Sequence, residues 1–326
     1  GPIRGFATTL IIGILVSFFT AVFITRIVYE HFMNKDKWLN LTFTTKISKN
    51  LMTNTHFDFM GTNKKSLIIV SAIIVVCIGS FAIRGLSQSI DFTGGRNFKV
   101  QFENPVEPEQ VRELISSKFG DANVSVIAIG TDKKTVRIST NYRIEDEGNN
   151  VDSEIESYLY ETLKPVLTQN ITLETFIDRD NHTGGSIVSS QKVGPSIADD
   201  IKTGAIYSVV LALLAIGLYI LLRFRNIAYS IGSIVALSCD TIMIIGAYSL
   251  FWGILPFSLE IDQTFIGAIL TAIGYSINDK VVIFDRVREF FGLYPKRDKR
   301  VLFNDSLNTT LARTINTSLS TLIVLL

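Results

Sequence analysis

Apolar residues in this chain are gathered into long runs, and those runs limit its possible folds more than any other feature. A helix crosses a bilayer in about 20 residues. Five runs meet that length, at about 6–28, 66–84, 201–222, 226–250 and 262–284, and a sixth starts near 313 and stops at Leu326. Hydrophobic residues make up 47% of the 326 and charged residues 19%, so neither a disordered nor a purely soluble chain fits. The net charge of +1 gives no reason to expect nucleic acid as a partner. Two cysteines in apolar runs, Cys77 and Cys239, and three isolated histidines, His31, His56 and His182, supply neither a disulfide framework nor a Cys/His zinc site nor a histidine-based triad. No catalytic, cofactor or metal residues are expected. The chain opens on Gly1-Pro2-Ile3-Arg4-Gly5 and ends inside an apolar run, and is expected to be a piece of a longer polypeptide.

Basic residues orient the spans. The link 26–65 carries seven Lys/Arg and the segment 286–300 six, and Arg223-Phe224-Arg225 forms the turn after the third span. The loop 251–261 has none. The positive-inside rule places the basic segments in the cytoplasm and that loop outside. The stretch 85–195 between spans two and three is then extracytoplasmic. Residues 84–200 hold 12 basic and 19 acidic side chains, net −7, in keeping with a solvated globular domain.

Within that stretch Asn97–Phe102 alternates as a strand does. Pro108–Ile115 starts a helix, and Val124–Ile129 with Thr135–Thr140 reads as a strand pair about Gly130-Thr131-Asp132. A helix is expected over about 151–168 and a last strand at Ile171–Ile177. The order β-α-β-β-α-β is that of a ferredoxin-like unit. The fold class expected is thus an α-helical multi-pass membrane bundle with one extracytoplasmic α+β ferredoxin-like domain. Its acids read as a solvated surface. Before the first strand stands Asp91-Phe92-Thr93-Gly94-Gly95, where paired glycines permit either a tight hinge or a flexible joint.

Ionisable groups inside apolar runs cost roughly 2.5–3.5 kcal/mol on insertion scales, so each is a functional candidate. Asp240 lies in the fourth run, Asp279 and Lys280 in the fifth, and Arg313 opens the sixth. Asp285 and Arg286 read as interfacial. Lys280 is one residue, about 100° of helix, from Asp279, so it is expected to point elsewhere and snorkel toward the cytoplasm. Arg313 is either a snorkelling anchor or, with Thr317, Ser320 and Thr321, part of a polar stripe facing protein or water. Depth allows Asp279 and Arg313 to pair. A rearrangement separating them would move the carboxyl between low and raised proton affinity, as an ion relay requires. Gly267, Thr271, Gly274 and Asn278 form a small-residue face suited to close packing.

At these residues the sequence resembles the SecD/SecF protein-export membrane proteins, of the resistance-nodulation-division type. Gly1–Ile14 with Phe19-Thr20-Ala21 is similar to the last SecD span, and His56-Phe57-Asp58-Phe59-Met60-Gly61 to the start of SecF. Asp91–Gly95, Val193-Gly194-Pro195, Gly274–Asp279 with Val281–Arg286, and Arg313–Ser318 follow in the family's order. The resemblance covers nearly the whole chain. It implies a fused SecDF polypeptide represented by 1–28 (last SecD-like span), 29–65 (cytoplasmic linker), 66–84 (first SecF-like span), 85–195 (periplasmic ferredoxin-like domain) and 196–326 (the remaining SecF-like bundle). It implies a non-enzymatic auxiliary subunit of the Sec protein translocase in the inner membrane, needing no cofactor and driven by an H⁺ or Na⁺ gradient. Partners implied are the SecYEG translocon with SecA, YajC and YidC as further candidates, an unfolded exported protein and the lipid bilayer. The ion-coupling roles fall on Asp279 and Arg313, with Asp240 in the preceding span. Lys280 departs from the small hydroxyl residue expected there. Two rivals are a small-molecule or lipid exporter of the same type, which should show much larger external domains, and a non-transporting translocase scaffold.

Overall fold

The first apolar run forms helix α1, Pro2–Phe19, which passes through a π-helical turn at Thr20–Ile24 into α2, Thr25–Met33. There follow α3 (Asn63–Arg84), the single turn α4 (Ile90–Thr93), strand β1 (Gly95–Gln101), α5 (Pro108–Phe119), β2 (Val124–Ile129), β3 (Thr135–Thr140), α6 (Val151–Leu163), α7 (Leu173–Ile177), β4 (Ser186–Val193), α8 (Pro195–Phe224), α9 (Ile227–Phe251), α10 (Gln263–Leu293) and α11 (Lys299–Leu325). This computed structural model describes residues 2–38, 42, 55–120, 122–130, 132–146, 148, 150–168, 170–180, 184–255 and 258–325. The expected turn residue Thr131 and His182 lie outside the described residues.

The chain divides into two compact units. One holds Gly1–Ile83, Val210–Ala247 and Ile266–Leu326; the other holds Arg84–Val209 and Tyr248–Phe265. Among the described residues five helices are long and apolar enough to cross a membrane: the first, α3, α8, α9 and α10. Helix α11 is long but more polar, and it starts at Lys299 rather than near 313. Asn304 and Asn308, one turn apart on α11, grip the segment that precedes α3. Asn304 Oδ1 accepts from the amide of Phe59 at 2.8 Å. Asn308 accepts from the Phe57 amide and donates to its carbonyl, both at 2.9 Å.

The second unit carries an antiparallel sheet of order β2-β3-β1-β4. That order, with one helix after β1 and another after β3, is ferredoxin-like. The register pairs Phe98 with Ile138 and Val100 with Val136. The inward residues of β1, β3 and β4 pack on the apolar stripes of α5 (Val111, Ile115, Phe119) and α6 (Ile155, Leu159, Leu163). A fully buried side chain of this kind contributes roughly 1.5–3 kcal/mol.

Two boundaries differ from those read in the sequence. Helix α6 ends at Leu163 instead of near 168, because Pro165 has no N–H to continue the hydrogen-bond ladder, although Lys164 itself keeps helical backbone angles. Residues 171–177 form helix α7 rather than the last strand. Thr172 caps it, accepting from the Thr175 amide at 3.3 Å, and Phe176 is driven inward. The fourth strand comes later, at Ser186–Val193, as a polar sheet edge whose middle, Ser189–Lys192, is exposed.

Candidate functional site

Three side chains meet in the middle of α9 and α10. The Lys280 ammonium donates to Asp240 Oδ2 at 2.8 Å and to the Ser276 hydroxyl. Ser276 in turn donates to the same carboxylate oxygen. Helical phase explains why these residues of α10 face α9. Ile266, Ile269, Ile273, Ser276 and Lys280 recur at alternating spacings of three and four, and Ile266, Ile269 and Ile273 are buried. The carboxylate and ammonium keep 32% and 21% of their side-chain surface. Lys280 therefore does not snorkel to the membrane edge. An acceptor on the neighbouring helix is nearer and satisfies the charge where it lies.

Asp279 and Arg313 do not form an ion pair in this conformation. Asp279 is half-buried on α10, beside the stripe that carries Lys280, and Arg313 is exposed. Both stand near the midpoints of their helices. Helix α10 continues to Leu293 beyond its apolar run, and α11 begins well before Arg313. The stripe on α11 is satisfied locally: Thr317 bonds the Arg313 carbonyl at 2.9 Å and Thr321 the Thr317 carbonyl at 3.0 Å. Gly274 and Asn278, expected to pack within the bundle, are exposed, and a methyl placed on Gly274 would meet nothing within 4 Å. Their stripe is one residue, about 100°, out of phase with the buried one. Gly267, on the same stripe, does sit under the Phe6 ring. Asp285 pairs with Arg223, at the end of α8, at 3.2 Å and with Arg288 at 2.9 Å.

In the sheet unit, Asp91–Gly95 is packed on several sides. Gly94 has φ +72°, and a Cβ there would lie 3.2 Å from the Pro195 Cα. At Gly95 it would lie 2.8 Å from both the Thr140 carbonyl oxygen and Ile90. The pair is thus required for space as much as for backbone freedom. Arg96, 2% exposed, bonds Asp152 at 2.8 Å and the carbonyls of Tyr142 and Arg143 at 3.0 and 3.1 Å. Asp91 accepts from the amide of Gln263 at 3.1 Å. Nearby, Glu260 of the 251–262 loop is paired with Arg137 of β3 and only 3% exposed. Burial pushes its carboxyl above the ordinary range, and the Arg137 charge opposes that rise.

Sequence reasoning missed the Arg137–Glu260 pair, the Asn304/Asn308 grip and the partner of Lys280. Each depends on residues far apart in the chain. Among the described residues no group of three His, Cys, Asp or Glu side chains is placed to hold a metal.

Apolar helices of spanning length, charged side chains paired between two of them, and a ferredoxin-like domain inserted between the second and third define a multi-pass membrane protein. The chain belongs to the SecD/SecF protein-export membrane protein family. The family described as protein export membrane protein SecD/SecF, C-terminal, matches residues 148–326, and the SecD/SecF GG motif matches 79–106. The protein translocase subunit SecF of Rhodothermus marinus is 37% identical over 271 residues, 83% of this chain and 80% of that protein. The SecDF subunit of Bacillus subtilis is 31% identical, over 99% of this chain and 42% of the relative. The crystal structure of SecDF from Thermus thermophilus, described as a translocon-associated membrane protein, superposes with a TM-score of 0.75 at 28% identity. That match covers 99% of this chain and 39% of the other. The chain thus spans about two fifths of the SecDF relatives it matches.

Proposed function

We propose that this chain is part of an auxiliary subunit of the Sec protein translocase that uses an ion gradient to promote protein export. The observation that carries the reading is the Asp240–Ser276–Lys280 cluster at mid-helix on α9 and α10, with Asp279 next to it in sequence. Opening a charge pair in an apolar bundle leaves both groups uncompensated and costs free energy. Binding or release of a cation at either carboxylate therefore shifts the balance between helix arrangements. One charge crossing about 100 mV supplies roughly 2.3 kcal/mol, enough to drive such a shift. Asp279 and Arg313 would pair in another state of the cycle, with Asp240 and Lys280 as the pair of the state described above. The roles are transport roles, without catalysis or cofactor, and the driving ion is H⁺ or Na⁺.

In this reading the protein sits in the inner membrane, as its family membership suggests, and the charge bias of its loops favours the sheet domain and the loop 251–262 on the side away from the cytoplasm. The domain would hold or pull an emerging unfolded polypeptide beside the SecYEG channel and SecA, with YajC and YidC as further neighbours. The test is potential-driven export by the complete protein in membrane vesicles. Asp279→Asn and Arg313→Met are expected to abolish the potential-dependent component while the protein still assembles. Normal potential-driven export by both variants refutes the coupling role and leaves a scaffold.

A further inference from the structure

Asp240 is the one charged residue in α9, and the helices beside it decide what can neutralise it. Helix α8 lies against α9 where the Ser230 hydroxyl donates to the Gly217 carbonyl at 2.6 Å, and it has no charged residue between positions 203 and 222. Helix α3 meets α9 at Cys77 and Gly246, and has none between positions 66 and 83. Arg313 of α11 is exposed. The charge that answers Asp240 comes from α10 as Lys280, one helical turn after Ser276, with Asp279 on the adjacent face.

The ammonium does more than balance a charge: it stands in the place a metal cation would need. A carboxylate oxygen and a hydroxyl oxygen converge there, and Na⁺ binds in membrane bundles by exchanging its water for such oxygens. Lys280 Nζ already takes both. It donates to Asp240 Oδ2 at 2.8 Å and to the Ser276 hydroxyl, which donates on to the same carboxylate oxygen. Because the ammonium is tethered, it competes for this position at a local concentration that no gradient depletes. A proton asks for less. One lone pair is enough, and since both donors converge on Oδ2, a proton can add at Oδ1 without displacing either. H⁺ and Na⁺ would change the charge of the cluster equally, so coordination, not charge, separates the two ions here.

We propose that Lys280 sets the choice of ion: its ammonium fills the cation position formed by Asp240 and Ser276, so that the bundle refuses Na⁺ and is driven by H⁺. Lys280 acts as a specificity residue through the place it occupies. Ser276 is a positioning residue, its hydroxyl bridging Nζ and Oδ2. The inference deepens the ion-coupled reading above and rests on it.

The test compares wild type, Lys280→Ser and Lys280→Arg as the complete SecDF-type protein in sealed liposomes, under an H⁺ gradient without Na⁺ and under a Na⁺ gradient at equal pH on both sides. Wild type should carry H⁺, with Na⁺ flux no higher than in protein-free liposomes. Lys280→Ser removes the tethered cation and leaves a hydroxyl, and its H⁺-to-Na⁺ flux ratio should fall by about tenfold or more, as loss of a partly buried charge partner allows. Lys280→Arg keeps a cation at the position and should keep Na⁺ out. A second readout needs no transport: NaCl in place of KCl at equal ionic strength should raise the unfolding temperature of Lys280→Ser and leave that of wild type unmoved. Na⁺ flux through wild type overturns the inference without recourse to any variant. So does a Lys280→Ser protein with the wild-type flux ratio and no response to NaCl over KCl. Asp279→Asn run in parallel separates the two ideas. If it abolishes H⁺ flux while Lys280→Ser keeps the wild-type ratio, the role of Lys280 alone fails; if wild type carries neither ion, the ion-coupled reading fails and this inference with it.

Discussion

Replacing Lys280 with Met removes the ammonium 2.8 Å from Asp240 and leaves that carboxylate with the Ser276 hydroxyl alone. An uncompensated Asp at mid-span costs about 2.5–3.5 kcal/mol. The surviving hydrogen bond to a charged acceptor returns about 1.5–3 kcal/mol of that. The expected destabilisation is therefore about 1 kcal/mol. Asp240→Asn should cost less, because a long lysine stem can carry its freed ammonium toward water. The double variant Asp240→Asn with Lys280→Met has no charge left to solvate, and should be at least as stable as the sum of single effects minus about 1 kcal/mol. Equilibrium unfolding of the four proteins in a fixed detergent-lipid mixture gives the coupling energy as a double-mutant cycle. Simple additivity, with no coupling outside error, would show that the two groups do not sense each other and would remove the basis of the mid-helix cluster.

Two further outcomes are expected. Gly95→Ala should destabilise the sheet domain by about 1–3 kcal/mol, because the added methyl meets the Thr140 carbonyl at 2.8 Å, whereas Gly274→Ala, mid-helix with open space around it, should stabilise by about 0.5–1 kcal/mol in the same thermal assay. Glu260 has a raised proton affinity in the folded state, chiefly from burial. The folded protein then binds a proton more readily than the unfolded chain does, so the burial cost present at neutral pH falls as pH drops through the raised value. Wild type should therefore gain stability relative to Glu260→Gln between pH 7 and pH 5, and a difference between the two proteins that does not move with pH contradicts the assigned environment.

The spans were legible because hydropathy and length are local properties. So were β1, β2 and β3, whose alternation is local too. Residues 171–177 were not. A five- to seven-residue apolar run fits a strand or a helical turn equally, and the deciding contact is the Thr172 cap. Strand β4 was hidden because an edge strand with an exposed middle, Ser189–Lys192, carries no apolar signal. The start of α11 was hidden for a related reason, since its first half is polar and its grip on residues 57–60 comes through asparagine amides. For the membrane charges, one-residue phase reasoning separated Lys280 from Asp279 correctly. It could not supply Asp240 as the target, because the relative rotation of α9 and α10 is a tertiary fact. The same limit explains Gly274 and Asn278, a valid small-residue stripe one step away from the buried face.

The most direct test of the account is cation flux through the complete SecDF-type protein in sealed liposomes, with H⁺ and Na⁺ gradients imposed separately, for wild type and Asp279→Asn. Wild type should pass one of the two cations, and the asparagine variant should lose that flux by about tenfold or more, as expected when an essential membrane carboxylate can no longer ionise. Equal flux of both proteins under both gradients would contradict the claim that a carboxylate in the bundle carries the driving ion.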